Sequence, residues 1–285
     1  MSVTPFAGER FEYIRKHSSL EENKWKGRDR MAQLRDGIYG LAVADALGVP
    51  YEFKKRGTFT CKDMVGFGTW NQEAGTWSDD TSMTLATCKS IRDKACIDLE
   101  DIRKNFESWL YKGDFTANGE TFDVGTTTQE AISLGHGLGD FYSNGNGSLM
   151  RILPLAFTGA TDQEIRDVSA LTHSHEIAQK ACVDYVHIAR KLMAGEDLGL
   201  KMGQEEDQIE SSGFVLHTLE ASLWCIARTS SYKEAVLKAI NLGDDTDTTG
   251  AVTGGLAGII YGYEAIPKEW IDQLKNKDLI EECLF

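Results

Sequence analysis

From Asp29 onward the apolar residues of this 285-residue chain recur at helical spacing, and no run shows the sustained alternation of a half-buried strand. Met31, Leu34, Ile38, Leu41 and Ala42 open the series, which ends near Leu47-Gly48-Val49-Pro50. Ser78 to Asp93 follows, with Ser78 as N-cap. Asp98 to Tyr111 carries Ile102, Phe106, Trp109 and Leu110 on one side. Asp162 to Leu171, His175 to Ala194, Phe214 to Thr229, Tyr232 to Asn241 and Thr248 to Tyr263 complete it. Leu149 to Phe157 reads as a helix broken by Pro154, and residues 54–77 and 113–147 read as Gly-rich loop regions. Such stripes can be buried only helix against helix. The expected fold is all-α: one compact helical bundle over 31–285, preceded by a polar arm over 1–30 that carries Phe6, Phe11, Tyr13 and Trp25.

The charge balance excludes some functions. Thirty Lys and Arg stand against 44 Asp and Glu, a net charge of −14. General nucleic-acid binding and binding to acidic membranes both need clustered cations, so neither is expected. No run of 18 apolar residues is present, so no transmembrane helix is expected either. The six cysteines form no C-x-x-C pair and read as buried thiols. With no secretory signal in Met1 to Arg10, a cytoplasmic location is the expectation, and a monomer is expected though no residue pattern carries it. Residues 196–210, rich in acids, read as a solvated connection. Glycine is over-represented against proline, 28 to 4. Glycines fall in loops (145, 147, 243) and in the last long helix (254, 255, 258), where they permit close approach.

Two acidic turns stand at helix starts. The first is Trp77-Ser78-Asp79-Asp80-Thr81. Acids and hydroxyls in a first turn can simply cap the helix and answer its dipole. The second, Gly243-Asp244-Asp245-Thr246-Asp247-Thr248-Thr249-Gly250, has three carboxylates in four residues, more than capping requires. Asp245 and Asp247 point apart on a helix, so they converge only if the backbone there is a loop. Converging carboxylates repel unless a cation lies between them. Both turns offer only oxygen, which suits Mg²⁺, Mn²⁺ or Ca²⁺ rather than Zn²⁺. Closed on each other, they could hold a metal pair that orients a substrate and activates water.

Other segments are less specific alone. Asp45 to Glu52 ends a helix and presents Glu52 on the next turn. Asn144-Gly145-Asn146-Gly147-Ser148-Leu149-Met150-Arg151 could offer backbone N–H groups to a phosphate. Thr172-His173-Ser174-His175 either caps and packs a helix or faces a ligand.

Taken in order, these segments resemble the ADP-ribosylglycohydrolase family. The resemblance runs from about Asp36 to Gly262 through five motifs: Gly40-x-x-x-Ala44-Asp45-Ala46-Leu47-Gly48 with Glu52, Ser78 to Thr81, Asn144 to Arg151, Thr172-His173, and Gly243 to Gly250. It implies an all-α fold, a site for two Mg²⁺ ions (Mn²⁺ as substitute), and hydrolysis of the bond between ADP-ribose and a modified group. The implied metal ligands are Ser78, Asp79, Asp80, Asp245, Asp247 and Thr248. Glu52, Asp123, Asp80 and Asp245 are the implied catalytic acids. Asn146, Gly147, Ser148 and Met150 match the loop along ADP-ribose, and His173 a histidine near it. Phe122-Asp123-Val124-Gly125-Thr126-Thr127 is similar to the segment whose Asp faces the guanidinium in arginine-specific members. The implied substrate is therefore an ADP-ribosylated protein or other ADP-ribose conjugate, with arginine the first choice of linkage and serine, acetylated ADP-ribose and modified nucleic-acid ends as the alternatives.

Three positions depart from the family pattern: Ala44 replaces Gly, Ser78 replaces Thr, and Asp244 replaces the second Gly of the last motif. None removes an oxygen the site needs. Two other readings compete. One is a different Mg²⁺-dependent hydrolase of nucleotides or phosphoesters. The other is a binding or immunity protein that sequesters an ADP-ribosylated target or its transferase, an idea motivated by residues 1–30.

Overall fold

The computed structural model describes residues 32–200 and 202–285, so the arm over 1–30 lies outside the described residues. The chain runs through α1 (Leu34–Gly48), α2 (Asp79–Lys94), α3 (Leu99–Lys112), α4 (Thr126–Leu134), α5 (Asp162–Ala170), α6 (Glu176–Met193), α7 (Val215–Arg228), α8 (Tyr232–Ile240), α9 (Thr246–Tyr261), α10 (Lys268–Gln273) and α11 (Lys277–Cys283). Among the described residues there are only isolated β-bridges, such as Phe67 with Gln72, and no strand. The all-α reading holds.

Two helices are buried around almost their whole circumference and occupy the centre. In α1 every residue except Arg35 is buried, and in α9 every residue from Thr246 to Ile260 is. They make the most extensive helix pairing among the described residues. Glycine makes that possible. A Cβ on Gly40 would lie 2.4 Å from the Gly254 carbonyl oxygen, and one on Gly254 would lie 2.3 Å from the Gly40 oxygen. The two backbones therefore touch with no side chain between them. Helices α7 and α8 cover α9, α6 packs on α5 and α7, and α3 packs on α2. These outer helices bury one stripe each: Ile102, Phe106 and Trp109 in α3, for example.

Local signals explain the helix starts. Ser78 accepts from the Asp80 amide, Asp98 from the Asp101 amide and His175 from the Ile177 amide. Thr161 and Glu164 form a reciprocal capping box. Three expectations are corrected. The loop read over 113–147 contains α4, which buries only Thr128, Ala131 and Ile132 and so shows little apolar period. The helix read over 149–157 is a 3₁₀ segment at Leu153–Phe157, preceded by a 3₁₀ turn at Asn146–Ser148, and it carries Pro154 in its first turn, where a missing N–H costs least. Finally α9 begins at Thr246, so Asp247 lies in its first turn. All six cysteines are free thiols, five of them buried.

The α1–α9 seam should tolerate no added methyl. Gly254→Ala is expected to destabilise by about 1–3 kcal/mol, whereas Gly159→Ala, where nothing lies within 4 Å, should be near neutral. Urea unfolding of both variants checks this; equal stability would mean the seam is not close-packed.

Candidate active site

The two acidic turns meet at the centre of the fold. α2 begins at Asp79 and α9 at Thr246, and each start is tied to α1. Asp45, on the last turn of α1, accepts from Ser78 N (3.0 Å), Ser78 Oγ (2.9 Å), Thr81 N (3.0 Å) and Thr81 Oγ1 (2.5 Å). A carboxylate from another helix thus caps α2. Thr246 Oγ1 donates to the Gly48 carbonyl at 2.8 Å. A Cβ on Gly48 would fall 2.4 Å from Asp247 Cα, so glycine alone allows this approach. Thr248 Oγ1 donates across to Asp80 Oδ2 at 3.3 Å and joins the turns directly.

Asp245 sits just outside α9 with φ −91° and ψ 82°, a non-helical backbone. That turns its carboxylate towards the one on Asp247, as the i, i+2 argument required. Asp244 has φ +59° and is exposed. The left-handed backbone explains why glycine would suit this position, and the extra charge points to solvent.

Seven carboxylates gather here: Asp45, Glu52, Asp79, Asp80, Asp123, Asp245 and Asp247. Two sets of three place oxygens within 4.8 Å of one another, Asp45/Asp80/Asp247 and Glu52/Asp245/Asp247, and Asp247 belongs to both. Burial first, then mutual repulsion, raises Asp79, Asp80 and Asp247 well above the usual carboxylate range. Burial followed by the Asp123 charge pushes Glu52 up to about 9. Burial likewise raises Asp123 and Asp245, against hydrogen bonds that lower them. Asp45 rises only to about 6, because its donors oppose burial.

Three oxygens in this cluster are buried with no hydrogen-bond partner: Asp80 Oδ1, Asp245 Oδ1 and Asp247 Oδ2. Their opposite oxygens are used. Asp80 Oδ2 accepts from Ser78 and Thr248, Asp245 Oδ2 from Asn146, and Asp247 Oδ1 from the Thr248 amide. An orphaned buried carboxylate oxygen costs free energy unless a cation answers it. The donor set is all oxygen, so a hard divalent cation fits. Asp45 is different. Both its oxygens are taken by the Ser78–Thr81 turn, so it positions ligands rather than remaining free to be one.

The Glu52 side is lined by the 113–125 connection and the loop before α2. Trp70 Nε1 donates to Glu52 Oε2. Asp123, with φ +55°, lies within hydrogen-bonding reach of Glu52 and Asp247. On the opposite side Asn146 Nδ2 donates to Asp245 Oδ2 at 2.8 Å and to Thr218 Oγ1 at 2.9 Å. Ser148 is fully buried, its hydroxyl engaged by Ser169 and Cys182, and Met150 is in the core. Their side chains therefore face the interior, and of this loop Gly145 and Gly147 keep some exposure. A Cβ on Gly147 would meet His173 Cε1 and Thr128 Oγ1 at 2.9 Å, so that glycine face is closed by protein. His173 is buried beneath the loop. Burial, helped by the Arg151 charge, lowers its pKa to about 3 and keeps the ring neutral. Arg151, also fully buried, donates to Thr172 Oγ1 at 2.8 Å, and Thr172 Oγ1 meets His173 Nδ1 at 2.8 Å.

Trp70 is a participant that the sequence did not single out, and Asp45 and Arg151 stood inside quoted motifs without an assigned role. For Asp45 a signal existed, since it is an acid inside the apolar run Leu41 to Leu47. Trp70 lies in a loop with no periodicity to flag it.

A model of the ADP-ribosylglycohydrolase family matches residues 27–204 and 196–284. The chain is 31% identical over 284 residues to an ADP-ribosylarginine hydrolase of Serratia proteamaculans, covering 88% of this chain and 78% of that one. It is also 31% identical over 269 residues to the ADP-ribosyl-(dinitrogen reductase) glycohydrolase of Rhodospirillum rubrum, covering 84% and 88%. A solved chain described as an ADP-ribosylglycohydrolase-related protein complex superposes with a TM-score of 0.74 at 28% identity, covering 87% of this chain and 94% of that one.

The raised carboxyls set a pH dependence. A native acid with a raised pKa binds its proton more tightly than the unfolded chain does. Metal-free stability is therefore greatest near the ordinary carboxylate range and falls as pH rises towards about 6 for Asp45 and about 9 for Glu52. Melting temperature without metal should drop between pH 5 and 9. Mg²⁺ at a hundredfold excess over its Kd should raise it by roughly 5–10 °C at pH 8, and by less at pH 5 where protons compete. A flat metal-free profile with no Mg²⁺ response would contradict the cluster's electrostatics.

Proposed function

This chain belongs to the ADP-ribosylglycohydrolase family and is an enzyme of that type, and we propose that it frees ADP-ribose from modified arginine side chains of proteins with two Mg²⁺ ions, or Mn²⁺ in their place. The observation that carries the metal reading is that Asp80, Asp245 and Asp247, in one carboxylate cluster at the meeting of two helix starts, each keep a buried oxygen without a protein partner. Both relatives named above support ADP-ribose as the group removed, and the Serratia one supports arginine as the linkage.

The ions would be held by Asp79, Asp80, Asp245 and Asp247, with hydroxyls from Ser78 and Thr248. When bound they would neutralise the cluster, hold ribose hydroxyls and favour charge at the anomeric carbon. The rest falls to the chain's own groups. Glu52 and Asp123 are close enough to share a proton, and Trp70 fixes the Glu52 carboxyl. That pair would move a proton between water and the departing guanidino nitrogen. Asp123 would also accept from the guanidinium N–H groups. Asn146 would hold Asp245 in place, while the Gly145–Gly147 backbone would lie along the diphosphate, buttressed by His173 below it.

This reading reconciles the acidic surface with an anionic substrate. Attraction is local and comes from bound cations, not from a basic face.

Asp245→Ala and Asp247→Ala should each lower Mg²⁺-dependent release of ADP-ribose from ADP-ribosylarginine protein by at least about 10²–10³-fold. Unchanged turnover in either would overturn the metal assignment, and release of phosphate instead of ADP-ribose would favour a phosphoester hydrolase. Asp123→Ala should reduce turnover of arginine-linked substrate more than of serine-linked substrate; equal losses would remove its role in linkage recognition.

A further inference from the structure

Beside the carboxylate cluster stands a strip of aromatic rings, of which the chemistry above uses only the Trp70 indole N–H. Phe53 follows Glu52 directly, and Phe122 directly precedes Asp123. Trp70, the donor to Glu52, lies between them: its ring centroid is 6.2 Å from that of Phe53 and 5.7 Å from that of Phe122. Neighbouring rings are inclined by 60° and 50°, so they do not cover one another as stacked rings would.

Phe53 is unusual in two respects. Its side chain is 66% exposed, and its backbone has φ +62°. A phenyl ring in water on a left-handed backbone contributes little to folding and adds strain. The backbone there is fixed from outside, since the Phe53 amide donates to the Asp244 carbonyl at 2.7 Å. Asp123 is held on a left-handed backbone too. Both carboxylate–aromatic pairs thus rest on unfavourable backbone geometry at the same rim of the site.

We propose that Phe53, Trp70 and Phe122, with Glu52 and Asp123, form the subsite for the leaving group, and that this subsite takes a planar delocalised cation. The inference rests on the arginine reading above and extends it to specific recognition residues. Aromatic faces attract a guanidinium through their quadrupole, and the two carboxylates at the strip's edge accept its N–H groups. A neutral hydroxyl leaving group, such as serine, gains neither.

The test uses the full chain with Mg²⁺, measuring steady-state turnover of ADP-ribosylarginine and of serine-linked ADP-ribose. It also measures binding of free ADP-ribose, and of agmatine in the presence of ADP-ribose. Phe53→Leu and Phe122→Leu keep apolar bulk and remove the π face. KM for the arginine-linked substrate and Kd for agmatine should each rise about tenfold. Kd for free ADP-ribose and KM for the serine-linked substrate should stay within about twofold. Wild-type affinity for agmatine in Phe53→Leu, or an equal loss for both linkages, overturns the subsite. A wild-type enzyme that cleaves only the serine linkage overturns the arginine reading instead, and agmatine binding then decides the subsite on its own. Phe53→Gly separates function from folding: it should melt no lower than wild type while losing agmatine affinity.

Discussion

Repulsion among buried carboxylates is the constraint on which this structure turns. Seven acids share one small volume at the centre of an all-helical fold. Burial raises the proton affinity of all seven, mutual repulsion adds to it at Asp79, Asp80 and Asp247, and three of their oxygens have no protein partner. Such a cluster opposes folding unless the scaffold pins it and something positive answers it. The scaffold pins it through helix starts. Asp79, Asp80 and Asp247 lie in first turns, where free N–H groups and the helix dipole lessen the cost of negative charge. Asp45 caps one start and the Gly48 carbonyl anchors the other.

The close α1–α9 seam follows from the same need. Asp45 is at the end of α1, and Asp247 at the beginning of α9. These can lie within one oxygen cluster only if the two backbones approach without side chains between them. Gly40 and Gly254 permit that along the helices, and Gly48 permits it at the site itself. The glycine content thus reflects the position of the carboxylates as much as the packing of helices. The net charge of −14 is partly a property of this one interior cluster and does not describe how the protein would meet an anionic ligand.

Much of this was legible in the sequence because it was encoded locally. Helix starts with strong caps, at Ser78, Asp98, Thr161 and His175, are written in adjacent residues. So were the two acidic turns, since three carboxylates in four residues exceed any capping need. The less legible parts depend on contacts across long separations. Asp45 reaches residues 33 and 36 positions away, and Asn146 meets Asp245 across 99. No spacing rule anticipates either. α4 was hidden because three threonines and a thin buried stripe resemble loop composition. Ser148 and Met150 fall inside a recognisable motif, yet motif membership does not say which side chains turn to the core. Their burial, like that of Arg151 and His173, belongs to the support beneath the loop.

Asp247 belongs to both oxygen sets, so the two acidic turns together would hold two cations, with Asp247 among the residues that hold them. Electron paramagnetic resonance of the metal-free protein titrated with Mn²⁺ tests it most directly. Two ions should bind per chain with coupled spins, as ions about 3.5–4 Å apart show. Saturation at a single uncoupled ion, or no binding at millimolar Mn²⁺, would contradict it.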